Sequence, residues 1–234
     1  MNSDLSDKIV VITGASRGIG MCTARAFHQA GAKVAITGRH EETLTQSAKE
    51  VGERCYPFVC DQRDPDAIEK MATEVIKQLG DPDILINNAG MMKSLPVLEM
   101  SRELWDQVME TNVRGPFLTS RAFLPGMIKK NKGDIVMISS MSGKKGDPGA
   151  SVYAASKFGL QGFSQSLMHE VRRNNIRVMV VNPSMVDKSE HPDRDCGEGL
   201  TLHALDLADT IVHMVALPGR TMIRDMDVFG TNPF

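Results

Sequence analysis

The sequence predicts an α/β domain in which a doubly wound, mostly parallel sheet carries helices on both faces. Three observations lead there. Short continuous apolar runs recur along the 234 residues, each the length of a strand buried on both faces. Longer segments of helical length lie between them, and strands alternating with helices over a whole chain imply parallel pairing through crossovers. The first run also ends directly in a glycine-rich turn that opens a helix.

Taken in order, the first strand is expected over Lys8 to Thr13 (KIVVIT), with its turn at Thr13 to Gly20 (TGASRGIG) and a helix from Ile19 to Ala30 closed by Gly31. Glycine just past a helix is the usual stop signal. Further strands are expected at Lys33 to Thr37, Cys55 to Val59, Asp83 to Ile86, Asp134 to Ile138, Ile176 to Val181 and near Met226 to Phe229. Helices are expected at Glu41 to Val51, Pro65 to Leu79, Arg102 to Lys130, Val152 to Asn174 and Leu205 to Leu217. Pro65 suits the first position of its helix, where the missing N–H costs nothing. The polar stretch Asp187 to Gly199 (DKSEHPDRDCGEG) resists assignment. Its composition predicts a mobile surface loop, and its place after a strand's carboxyl end makes it either a solvated connection or a lid over a ligand. With no repeat and no linker, residues 1–234 are expected to form a single dinucleotide-binding and catalytic domain, with a substrate-loop segment at about 187–203.

Composition excludes several partners. Net charge is −2, with 41% hydrophobic and 24% charged residues, so nothing global points to nucleic acid or an anionic membrane. Lys129, Lys130 and Lys132 cluster where a helix should end, and the helix dipole favours cations there. Met1 to Asp7 is too polar for a signal peptide, and no apolar run reaches membrane length. Cys22, Cys55, Cys60 and Cys196 show no CxxC pairing, which predicts reduced thiols in a cytoplasmic protein. His191, Asp193, Asp195, Cys196 and His203 match no standard metal spacing, so no metal site is expected.

The chemistry is carried by Tyr153 and Lys157, four residues apart and therefore on one helix face, with Ser140 at the end of an apolar run. An ammonium about 4 Å from a phenol, at an effective dielectric of about 20, favours the phenolate by roughly 4 kcal/mol and draws its pKa toward neutrality. Such a phenol gives or takes a proton at a carbonyl or alcohol near pH 7. Ser140 would polarise the same oxygen by a hydrogen bond. Alone, Tyr-x-x-x-Lys also occurs on ordinary solvated helix faces.

The turn raises its weight. Glycines at 14, 18 and 20 permit a tight turn, a close approach of backbone to a pyrophosphate and close packing of helix on strand, while the helix N-terminus offers N–H groups to phosphate. Its spacing is GxxxGxG. Together with Asn87-Asn88-Ala89-Gly90, Asn112, Ser140 and Tyr153-Ala154-Ala155-Ser156-Lys157, in that order, it resembles the short-chain dehydrogenase/reductase family over nearly the whole chain. The resemblance implies a seven-stranded Rossmann-type sheet and hydride transfer between a nicotinamide cofactor and a carbonyl or alcohol substrate. It makes Tyr153 the proton donor or acceptor, Lys157 its modulator and a ribose ligand, Ser140 the orienter of substrate oxygen, and Asn112 the holder of a water that links Lys157 to solvent. Ser139 is adjacent, but the family's serine usually stands thirteen residues before the tyrosine, which selects Ser140. The cofactor contacts it implies are Gly14, Ser16, Arg17, Gly18, Ile19, Gly20, Arg39, Asp61, Asn88, Ala89, Gly90, Tyr153, Lys157, Pro183 and Val186. Asp61, expected at the adenine, has a second reading as a loop or capping acid.

NADP(H) is expected over NAD(H). The second strand ends Thr37-Gly38-Arg39-His40, with no acid to hold a ribose 2′-hydroxyl before Glu41, and Arg17 adds a second cation suited to a 2′-phosphate. The chain departs from the family after its sixth strand, at Asn182-Pro183-Ser184-Met185-Val186-Asp187-Lys188, where serine replaces a glycine and Lys188 takes the place of a threonine near the nicotinamide amide. Met91, Met92, Lys93, Met141 and Met185 are candidate pocket walls or simple core filling. Trp105 is expected to be a packing residue. By family analogy the protein is a homodimer or homotetramer. Two alternatives stay open beside the reductase: a dinucleotide sensor or scaffold without turnover, and a ketoreductase for carrier-bound acyl groups, for which Lys144, Lys145 and Arg114 would be docking cations.

Overall fold

The computed structural model describes residues 5–187 and 202–231. In chain order the strands are β1 (Ile9–Ile12), β2 (Lys33–Gly38), β3 (Cys55–Val59), β4 (Ile84–Asn87), β5 (Gly133–Ile138), β6 (Ile176–Pro183), β7 (Val186–Asp187), β8 (Leu202–His203) and β9 (Asp225–Val228). The helices are α1 (Gly18–Gln29), α2 (Glu41–Val51), α3 (Pro65–Leu79), α4 (Arg102–Met109), α5 (Gly115–Lys130), α6 (Ser151–Val171) and α7 (Ala204–Ala216). Seven of the strands form one sheet in the order β3-β2-β1-β4-β5-β6-β9, every neighbouring pair parallel, while β7 and β8 pair only with each other. This is the doubly wound, Rossmann-type arrangement that the alternation predicts.

The continuous apolar runs have a direct cause. Successive side chains of a strand point to opposite faces, so a strand covered on both sides must be apolar at every position. Val10 and Ile12 of β1 join one core with Phe27 of α1, Leu44 of α2 and Leu207 and Ile211 of α7. Val11 between them joins the other, with Ile68 and Met71 of α3, Phe123 and Met127 of α5 and Leu160 and Leu167 of α6. The pattern repeats along β4, β5 and β6, which places α1, α2 and α7 on one face and α3, α5 and α6 on the other.

Helix ends follow local chemistry. Asp64 caps α3 by accepting from the N–H groups of Asp66 and Ala67 at 3.0 and 3.3 Å, with Pro65 at its first position. Two expectations are corrected. The helix expected over Arg102 to Lys130 is α4 and α5 joined by a π-type turn at Glu110–Arg114. The one expected to reach Asn174 ends at Val171 and continues as a 3₁₀ turn, Arg172–Asn174. Of the substrate-loop segment at about 187–203, only Asp187, Leu202 and His203 lie among the described residues. No helix among the described residues is long and apolar enough to cross a membrane.

The strand order reverses between β1 and β4, since β2 and β3 extend one way and β5, β6 and β9 the other. In open α/β sheets the carboxyl ends at such a reversal form the natural ligand crevice. The glycine-rich turn and the Asn88 segment both sit there.

Candidate active site

Two turns meet at the reversal and are stitched together. The Thr13 hydroxyl accepts from the N–H groups of Asn88 and Ala89 at 3.1 and 3.0 Å, and the Asn88 side-chain amide donates to the carbonyls of Thr13 and Gly14 at 2.9 and 3.0 Å. Space here leaves no room for a side chain. A Cβ on Gly14, whose φ is +64°, would lie 2.7 Å from the Ala89 Cα, and one on Gly20 would lie 2.6 Å from the Asn88 amide nitrogen. Helix α1 begins at Gly18 with no side-chain cap and no acid in its first turn, so its opening N–H groups and positive dipole end suit an anion. Ser16, Arg17, Gly18 and Ile19 line this entrance, and the Arg17 side chain is exposed.

The catalytic candidates converge on the same end of the sheet. Ser140 follows β5, with its hydroxyl accepting from the Ser142 N–H at 3.1 Å and hydrogen-bonded to the Tyr153 phenol. Tyr153 is half-buried in the first turn of α6, and Lys157 lies one turn on, with its ammonium 5.8 Å from the phenol ring centre. The lysine is buried and donates to the Ile138 carbonyl at 2.7 Å. Asn112 is buried within the π-type turn. Its carbonyl oxygen accepts from the Met91 N–H at 2.7 Å, while its nitrogen donates to the Met91 carbonyl and the Ser156 hydroxyl, each at 2.9 Å. Gly90 completes the group, since a Cβ there would be 3.7 Å from both Asn112 Oδ1 and Lys157 Nζ.

The electrostatics correct one expectation. Burial raises the Tyr153 phenol above its ordinary value, and the Ser140 hydrogen bond only partly offsets this. The Lys157 ammonium lies over the phenol ring, 5.8 Å from its centre, while donating to the Ile138 carbonyl, and burial outweighs any help it gives the phenolate. Burial also brings Lys157 itself down to about 8. The Asn112 side chain is likewise engaged by Met91 and Ser156, which makes it a clamp on the Gly90–Met91 segment.

The model of the short chain dehydrogenase family matches residues 8–194. The chain belongs to the short-chain dehydrogenase/reductase family. An uncharacterized oxidoreductase of Staphylococcus saprophyticus is 31% identical over 229 residues, covering 96% of this chain and 98% of that protein. A metagenomic short-chain oxidoreductase solved in complex with NADP superposes with a TM-score of 0.85 at 34% identity, covering 96% of this chain and 97% of its own. The closed form of a serine dehydrogenase complexed with NADP+ gives 0.87 at 32% identity, with 94% of both chains covered.

Arg39 is exposed just beyond β2 and helps hold the Asp61 carboxyl below its ordinary range. The larger cause is Arg63, whose guanidinium forks onto Asp61 at 2.7 to 3.2 Å. Sequence reasoning missed Arg63, although an arginine two residues beyond an acid in a turn is a readable signal. Pro183 is buried at the end of β6 and Val186 half-buried in β7, and Lys188 lies outside the described residues. Met91 and Met141 are half-buried, whereas Met92 and Met185 are exposed, as is Lys93. His203 caps α7 by accepting from the Leu205 N–H at 3.2 Å, and the other four residues weighed as metal ligands lie outside the described ones.

Two further readings change. Trp105 is 40% exposed and so does not serve as core packing within this chain. The cations considered for carrier docking are all engaged: Lys144 with Asp225 and Asp227, Lys145 with Asp147 at 3.5 Å, and Arg114 with Glu110 at 3.0 Å.

Proposed function

We propose that this oxidoreductase is an NADP(H)-dependent carbonyl reductase, reversible as an alcohol dehydrogenase, acting on a small or medium-sized substrate. The observation that carries the reading is the convergence of Ser140, Tyr153 and buried Lys157 on the carboxyl ends of the sheet, beside a turn that only glycine can form. The residues fit a dinucleotide: Gly14 to Gly20 and the start of α1 would hold the pyrophosphate, Asn88 to Gly90 and Asp61 the adenosine side, Lys157 the nicotinamide ribose, and Pro183 and Val186 the carboxamide. A bound nicotinamide supplies the hydride.

The chain supplies the rest. With its phenol raised, Tyr153 is protonated at neutral pH, the form a general acid needs to protonate a ketone oxygen. Ser140 donates to the same oxygen and so favours the alkoxide character that develops there. Lys157, at about 8, still carries most of its charge at neutral pH, where its ammonium donates to the Ile138 carbonyl and would meet the nicotinamide ribose. The NADP(H) preference rests on Arg17 and Arg39 with no competing acid at the end of β2. We further propose self-association through α4, α5 and α6, where Trp105, Phe117 and Phe158 are 40, 43 and 47% exposed. The buried thiols Cys55 and Cys60, pushed up to about 12 by burial, suit a reducing cytoplasm.

The test is titration of the purified protein with NADPH and NADH, then NADPH oxidation against ketones, diketones, quinones and β-ketoacyl thioesters. Tighter NADPH binding with turnover of at least one ketone is the expected result. Binding without turnover across the panel would favour a dinucleotide sensor.

A further inference from the structure

From the contacts around Lys144 we infer that an ionic anchor on the sheet's edge strand positions the turn that carries Ser140. Lys144 ends the single 3₁₀ turn Met141–Gly143, whose first residue is preceded by Ser140. One such turn is marginal alone, because three residues are fixed for very few hydrogen bonds. Here its far end is tied down. The Lys144 ammonium bridges Asp227 at 2.5 Å and Asp225 at 3.1 Å, both on β9. Those carboxylates also accept from the side-chain amide of Asn182, at 2.9 Å for Asp227 and closely for Asp225. Asn182 is fully buried on β6, and its carbonyl oxygen accepts from Gln161 at 2.5 Å.

Gln161 stands on α6 one turn beyond Lys157 and two beyond Tyr153, so the chain of contacts returns to the helix that holds the other catalytic candidates. The turn also packs directly on that helix. A Cβ on Gly143 would lie 3.1 Å from the Lys157 carbonyl and 3.3 Å from Gln161 Cγ. Charge-assisted bonds fix geometry more firmly than neutral ones, and Lys144 holds the Asp227 carboxyl below its ordinary range. Lys144 is thus a positioning residue. It sets Ser140 against Tyr153 without touching the reacting atoms, and the network joins β9, β6 and α6 around one turn.

The inference rests on the reductase reading for its kinetic half only. Amide exchange of Ser142 and Gly143, whose N–H groups bond to Ser140, reads the turn with no cofactor present. In Lys144→Met those amides should exchange about tenfold faster, with NADPH affinity within about twofold of wild type and kcat/KM down about tenfold. Lys144→Arg should recover most of both, and Asp227→Asn, which keeps Asp225 as partner, should fall between. On a Ser140→Ala background, Lys144→Met should add little further loss, because two residues acting through one group are not additive. A purely structural lysine would give additive losses. Unchanged exchange in Lys144→Met, or full additivity with Ser140→Ala, overturns the inference. If wild type reduces nothing on the panel, the reductase reading fails, and the exchange measurement decides the anchor by itself.

Discussion

The glycine cradle and the Ser140–Tyr153–Lys157 group lie at the same end of one sheet but are made of opposite materials. The cradle is built from backbone, from missing side chains and from hydrogen bonds between Thr13 and Asn88. The candidate catalytic group is built from polar side chains pushed out of water, with the Tyr153 phenol raised and the Lys157 ammonium lowered by burial. A backbone site fails by losing its shape, whereas a side-chain site fails by losing its chemistry and keeps its shape. Damage to the first should remove binding. Damage to the second should leave binding and remove turnover.

Tyr153→Phe makes the sharpest separation, because it removes one hydroxyl from a half-buried side chain. Turnover of any ketone reduced by wild type should fall about 10³-fold, about 4 kcal/mol of barrier, while an NADPH titration changes little. Loss of NADPH binding in that variant would break the division between the two regions. Gly14→Ala is its mirror. With a positive φ and Ala89 backbone at 2.7 Å, a methyl should cost about 3 kcal/mol of stability in urea denaturation and abolish NADPH binding together with activity.

Lys157 adds a prediction in pH. Its ammonium is near 8 in the folded chain and ordinarily about 10.5, so between those values the unfolded chain binds more protons and stability rises with pH. Measured without cofactor, wild type should therefore gain about 3 kcal/mol over Lys157→Met between pH 7.5 and 10.5. A constant difference across that range would mean that the buried ammonium is not desolvated as the structure shows. The smallest effect sharpens the cradle side. Arg39→Asp should weaken NADPH binding by about tenfold or more and leave NADH nearly unchanged, and equal losses for both cofactors would remove Arg39 from the phosphate contact.

The two regions also differed in how far they were legible in the sequence. Apolar runs and helix punctuation located nearly every sheet strand to within about two residues, and β3, α2 and α3 coincide with the expected bounds. For the inner strands β1, β4, β5 and β6 the reason is that burial on both faces leaves no polar gaps to mislead. Glycine spacing conveyed the cradle for the same reason, since a missing side chain is itself a sequence signal. The break between α4 and α5 had a local signal, since Gly115 and Pro116 open α5 directly after Glu110–Arg114, and the expectation of one long helix passed over it. The sign of the Tyr153 shift was hidden. Residue spacing shows which charges are neighbours in the helix, but the burial that raises the phenol comes from the packed fold around it. The tie from Lys144 to Asp225 and Asp227 spans more than eighty residues, beyond the reach of any local pattern.

The stitching of Thr13 to Asn88 bears on the order of events as this chain acquires its structure. Its hydrogen bonds join residues 74 to 76 apart in the sequence, so they form only after a long loop has closed. The cradle therefore requires the same long-range closure that pairs β1 with β4. A dinucleotide recognises the finished article alone, so it should leave the refolding rate nearly untouched and act by slowing the return to the unfolded chain.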